Sequence, residues 1–255
     1  MKRSERHHLK QNALAAGLAD LQYRLETHRR EIVIWVLLVT VGLMAAGGYV
    51  SYRRTQSAQG ADLLADALNT ATAPVIPPAP LPDPMNPNAT PPAAAFQPGS
   101  FTSEGRRTEA ALAKFILAAD AYPDNPAGIT ARYHAATLLA VLGRRDEAAT
   151  QYQQVVDSAG EHIYGQMASL GLAETQLHAG KVDVAIEMFQ RELNRPASNV
   201  PVDGVLMHLA RAYLLAGRTE AAEENFARIV DEFPESVYGP IAQAELDKLQ
   251  EIDAG

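Results

Sequence analysis

A glycine recurs at positions 143, 180 and 217, a constant step of 37 residues, and other residue types keep the same step. Ala136, Ala173 and Ala210 precede these glycines at one fixed offset. Ala148, Ala185 and Ala222 follow at a second offset, and Tyr152, Phe189 and Phe226 at a third. A basic residue, Arg144, Lys181 or Arg218, comes directly after each glycine. The phase extends back to Ala111 and Phe115, Pro123 and Pro234 share it, and Gly128, Tyr164-Gly165 and Tyr238-Gly239 fall in register with one another. A step of this length specifies stacked units, each burying its apolar face on the next. Every unit offers two helical stretches broken at the glycine, as in AATLLAVLGRRDEAATQYQQVV. Glycine suits the left-handed residue that ends a first helix. Alanine lets paired helices approach, and the aromatic fills the space toward the next pair. Asp146-Glu147, Asp183 and Glu220 fall where a second helix begins and its dipole favours negative charge. Proline then stops that helix. Abundant alanine with only 6% aromatic residues agrees with an all-α chain.

The alanine–glycine–alanine–aromatic–proline series resembles the tetratricopeptide repeat (TPR) over residues 106–250. The chain departs from that family in three places. Its period is 37 where the family's is about 34 residues. Arg132, Ser169 and Leu206 stand where the family has tryptophan, and Gly160 and Ala197 replace the terminal proline of two units. The resemblance implies an α-solenoid. A lone helix over 107–121 leads, three helix pairs begin near Ile129, Gln166 and Asp203, and a helix over 240–251 closes. It also implies a concave face made by the first helices. The family's groove positions fall on Thr130, Tyr133 and Thr137, then Met167, Leu170, Glu174 and His178, then Met207, Arg211 and Leu215. Extended peptide segments are the expected ligands there, and packing against a neighbouring helix is the competing role for each position. Some repeats of this family hold a chain-terminal carboxylate with a Lys/Asn set. Here those positions carry Tyr133, Leu170 and Met207, and Thr137, Glu174 and Arg211, so that mode is not expected.

A second feature lies upstream. Ile32 to Tyr52 runs without a charge (IVIWVLLVTVGLMAAGGYVSY). As a helix it spans roughly 31 Å, the thickness of a hydrocarbon core. Trp35 at one end and Tyr49 and Tyr52 at the other suit the two interfaces. A buried helix and a cleaved signal peptide are the competing readings. The run is too apolar for the first in so small a chain, and its leader and core are too long for the second. Residues 1–54 carry nine Lys/Arg against four Asp/Glu, and the remainder carries 13 against 26, giving the net charge of −8. Seven basic residues precede the span, and only Arg53 and Arg54 follow it before Arg106. The positive-inside rule then puts the leader in the cytoplasm and the acidic part outside, the periplasm in a bacterium.

The expected layout is a basic leader over 1–31, a membrane helix over 32–52, a juxtamembrane helix over 53–73, a proline-rich spacer over 74–105 and the repeats over 106–255. Leu14, Leu18, Leu21 and Leu25 recur at helical spacing, so 9–30 reads as an amphipathic helix. Gly42 and Ala46 form one small-xxx-small pair of the kind that can join membrane helices. Ten of the sixteen prolines crowd into residues 74–98, which excludes regular helix there. This plan, with SERHHLKQNALA at the start, HRR before the span and DLLADALNTATAPV after it, resembles the ancillary translocon-subunit family of bacterial inner membranes. The resemblance implies a periplasmic interaction module near the protein-export channel and its chaperones. An envelope coordinator acting in outer-membrane assembly or cell division is the alternative.

No catalytic constellation is legible. The chain has no cysteine, which excludes thiol chemistry, disulfides and Cys-based zinc sites. The seven histidines form no HExxH or similar pair, and there is neither a phosphate-binding glycine loop nor a GxSxG elbow. His178 and His208 fall on neighbouring first helices, but solvated or groove-lining roles suit them better than a shared metal. The reading is a non-enzyme without cofactor, metal or small-molecule substrate, and the net charge of −8 speaks against nucleic acid.

Overall fold

The computed structural model describes residues 29–77, 98–196 and 198–253. The leader helix expected over 9–30 lies outside the described residues up to position 28, as does the centre of the proline-rich segment. Among the described residues there are nine helices: α1 (Arg29–Ala71), α2 (Glu104–Ala121), α3 (Pro126–Val141), α4 (Arg145–Ala159), α5 (Ile163–His178), α6 (Val182–Leu193), α7 (Val202–Leu215), α8 (Thr219–Glu232) and α9 (Gly239–Asp253). The chain divides into two compact units, one up to Thr55 and one from Gln56 onward.

In the first unit α1 carries its apolar side chains on the outside, with Trp35 68% and Leu43 69% exposed. Exposed apolar area is unfavourable in water at roughly 25 cal/mol per Å2 and at home in hydrocarbon. The Thr40 hydroxyl donates to the Val36 carbonyl at 2.7 Å, so this polar group needs no water. Among the described residues α1 is the one helix long and apolar enough to span a membrane.

The second unit is a TPR-like solenoid of antiparallel helix pairs. Gly143, Gly180 and Gly217 take φ of +75°, +79° and +70°, the left-handed geometry that ends α3, α5 and α7. Ala136, Ala148, Ala173, Ala185, Ala210 and Ala222 are fully buried, as are Phe189 and Phe226, with Tyr152 nearly so. Asp146, Glu147, Asp183 and Glu220 sit in the first turns of α4, α6 and α8. The first helices begin at Pro126, Ile163 and Val202, earlier than the repeat phase alone suggests. Asn125 caps α3 by accepting from the Ala127 amide, and Pro126 at the helix start needs no amide partner. The leading helix is no lone half-unit. Ala67 of α1 is fully buried in the same core as Ala111, Leu112 and Phe115 of α2. Lys114 pairs with Asp66 at 2.8 Å, and the Tyr122 hydroxyl donates to Gln59 at 2.9 Å.

That packing changes the meaning of the proline-rich segment. Its composition predicts a spacer, but its two described ends meet. Val75 and Phe101 form a parallel bridge, the Ile76 amide donates to the Phe101 carbonyl at 2.8 Å, and the Phe101 amide donates to the Pro74 carbonyl at 2.9 Å. Arg107 also donates to the Ala73 carbonyl at 3.2 Å. The segment is an insertion between two packed helices, and residues 56–71 belong to the stack. Closing a long loop adds little entropic cost per added residue, so a neck of a few hydrogen bonds and an apolar helix contact suffices.

Candidate partner-binding groove

The first helices α3, α5 and α7 lie side by side and line a hollow of about 380 Å3. Tyr133 and Thr137 enter it from α3, Met167, Leu170 and Glu174 from α5, and His208 from α7. Tyr152 reaches in from α4, where the phenol shares a 3.1 Å hydrogen bond with the Thr137 hydroxyl. It has room because position 171 is glycine: a Cβ there would lie 2.5 Å from the ring. The rings of Tyr133 and Tyr152 are 6.0 Å apart at an edge-on angle, and the tilted ring of Tyr164 stands 5.6 Å from Tyr133.

One carboxylate dominates the electrostatics. His208 Nδ1 lies 2.9 Å from Glu174 Oε1. That hydrogen bond holds the Glu174 carboxyl below its usual range, with help from the nearby charges of His208, His178 and Arg211, against opposition from burial. Burial pushes the phenols of Tyr133 and Tyr152 up, and the charge of Glu174 adds to this at both.

The wall beside α7 is a loop, and its placement is built. At the other tight junctions a glycine lets the first helix start against the end of the preceding one. A Cβ on Gly128 would fall 1.8 Å from the Tyr122 carbonyl oxygen, and one on Gly165 would fall 2.2 Å from that of Gly160. Val202, the first residue of α7, occupies this phase and cannot approach so closely, and a longer loop, 194–201, replaces the turn. Glu192, only 2% exposed, accepts from Arg195 Nε at 3.1 and 3.0 Å and from the Ser198 hydroxyl at 3.4 Å. Buried Gln166 donates to the Glu161 carbonyl at 3.0 Å and accepts from the Asn199 amide at 2.8 Å. The loop is thereby tied to α5 and α6, and Asn199, Val200 and Pro201 form the wall.

Of the ten positions carried over from the repeat family, Tyr133, Thr137, Met167, Leu170 and Glu174 come together here. His178 lines the adjoining hollow with Thr137, Val141, Arg145 and Glu174. Thr130 is half-buried on α3, while Arg211 and Leu215 stand exposed along α7. Met207 is a correction: it is fully buried in the core among Leu206, Leu209 and Ala210, and its neighbour His208 takes the groove position. The sequence did hold the signal for this. His134, Gly171 and His208 are also 37 apart, and each meets the aromatic of the preceding pair. Phe115 stacks on His134 at 5.1 Å and Phe189 on His208 at 5.7 Å, while Tyr152 lies against Gly171. The wall of 199–201 follows from a loop length that the period does not encode.

Two family models and a solved structure agree with this architecture. None of the curated proteins matches. Among solved structures, a putative kinesin light chain from Podosopora anserina with nearly identical TPR-like repeats is similar at 18% identity and a TM-score of 0.50, over 59% of this chain and 81% of that one. A point variant of that protein gives the same values. BtubC (BKLC) from P. vanneervenii aligns at 17% identity and a TM-score of 0.45, over 56% of this chain and 59% of that one. A tetratricopeptide repeat model matches residues 205–236. The model of the tetratricopeptide repeat-like domain matches residues 25–197, more than half of the chain, and it is to this family that the protein belongs.

Proposed function

We propose that the protein is a membrane-anchored, periplasm-facing adaptor that holds extended protein segments in the groove of α3, α5 and α7. Its partners are the Sec export channel and the chaperones that receive its substrates. The observation that carries this reading is the groove itself: an open hollow, apolar on one side and carrying one ionised carboxylate, at the face that TPR-like modules offer to proteins. The exposed apolar helix supports an anchor, and the excess of Lys/Arg before it supports a cytoplasmic leader with the acidic repeats outside. The basic start, the single span and the resemblance of the layout to the ancillary translocon-subunit family support a place beside the export channel. The module acts by binding and needs no cofactor. Affinity purification of the full chain from mild-detergent extracts of the native membrane tests the reading. Recovery of channel subunits or periplasmic chaperones is expected. Recovery confined to outer-membrane assembly or cell-division proteins would move the adaptor to that role instead.

A further inference from the structure

Glu174 is the groove's one carboxylate, and its surroundings define what it can hold. Its Oε1 faces His208, and its side chain remains 42% exposed. The half-buried ring of Tyr133 lies in the same hollow, backed edge-on by the almost fully buried Tyr152 with ring centres 6.0 Å apart. A carboxylate and a partly open aromatic ring in one hollow attract a cation twice, through charge and through the ring quadrupole. Met167, Leu170 and Pro201 supply apolar seats on either side. Beyond residue 54 the chain carries 26 acidic against 13 basic residues, so the long-range field draws in the same sign of ligand.

We infer that the groove between α3, α5 and α7 is a recognition site for a basic side chain, arginine or lysine, flanked by apolar residues in an extended partner segment. The inference rests on the groove reading above and adds the ligand's chemistry. The cation docks on Glu174 and the Tyr133 ring, and its apolar neighbours lie on Met167, Leu170 and Pro201. His208 acts as a positioning residue that holds the carboxylate toward the hollow. Arg211, exposed on α7 and close enough to act on the Glu174 charge, is the internal competitor. This is the reverse of a carboxylate-binding groove, where the protein supplies the cation.

The test uses the full chain in zwitterionic lipid nanodiscs and fluorescent eleven-residue peptides of alternating serine and leucine. The central residue is either arginine or citrulline, its neutral isostere, and binding is read by anisotropy. A preference for the arginine peptide of roughly five- to tenfold is expected. Glu174→Gln keeps the shape and the His208 contact but removes the charge, and it should abolish the preference while the helical circular dichroism spectrum is retained and the melting temperature falls only slightly. Glu220→Gln, an exposed site outside the groove with the same charge change, should retain the preference, and Arg211→Ala should retain or raise it. Equal binding of both peptides, a preference surviving Glu174→Gln, or equal losses in Glu174→Gln and Glu220→Gln would overturn the inference. In each of these cases, peptide protection of a photoreactive residue at Leu170 would show that the groove reading still stands. Failure of any peptide to bind or protect Leu170 would overturn both.

Discussion

At the residue scale, the small and aromatic positions of the repeat do separate jobs. Ala185 on α6 is fully buried in the core shared with Ala173, Phe189 and Leu206. Ala185→Leu should overpack this contact and lower stability by about 1–3 kcal/mol, read by thermal denaturation of the solubilised chain. His134 is stacked on Phe115, and burial lowers its pKa below the ordinary 6.5. Such a histidine favours the folded state most when neutral, and its contribution is lost as the pH falls through its folded value. Melting temperature should therefore drop more steeply on acidification from pH 7.5 to 5 for the native chain than for His134→Phe, which keeps the stack without the titration. The alanines and left-handed glycines were legible in the sequence because their jobs depend only on backbone approach and backbone angle. Groove residues were less so. Met207 and His208 are adjacent on one helix, and a shift of about 100° in helical phase decides which is buried.

At the element scale, junction geometry distinguishes this solenoid from a plain repetition of one unit. Gly165 permits the tight α4–α5 turn, and Gly165→Ala should cost about 1–3 kcal/mol because its Cβ would press on a backbone carbonyl that cannot rotate away. The α6–α7 junction uses a loop tied down by Glu192 and Gln166 instead. Glu192→Ala leaves Arg195 and Ser198 without their acceptor, so amide exchange at Asn199 and Val200 should quicken while the cores of α3 and α4 stay protected. Helix number and order were readable from the period. The pairing of residues 56–71 with α2 was not, because the inserted prolines separate two helices whose contact is set by packing and not by sequence distance. Proline content alone cannot distinguish a spacer from an insertion whose ends are joined.

At the scale of the whole molecule, the proposed topology puts the basic leader and the acidic repeats on opposite sides of a membrane. The absence of native cysteine makes topology directly measurable with single introduced thiols. In intact spheroplasts a membrane-impermeant maleimide should label Asp183→Cys, on the exposed start of α6, and should reach Ser4→Cys only after permeabilisation. The chain should also stay with the membrane through alkaline carbonate extraction, as an apolar span of this length requires. The most direct measurement of the central claim is photo-crosslinking in living cells, with a photoreactive residue at Tyr133 or Leu170 in the groove and a control at Glu224 on the exposed side of α8, followed by mass spectrometry of the adducts. Groove-dependent adducts with export-channel subunits, periplasmic chaperones or nascent secreted chains are expected, and none of these from Glu224. Adducts with cytoplasmic proteins, or the same adducts from groove and control positions, would contradict the claim.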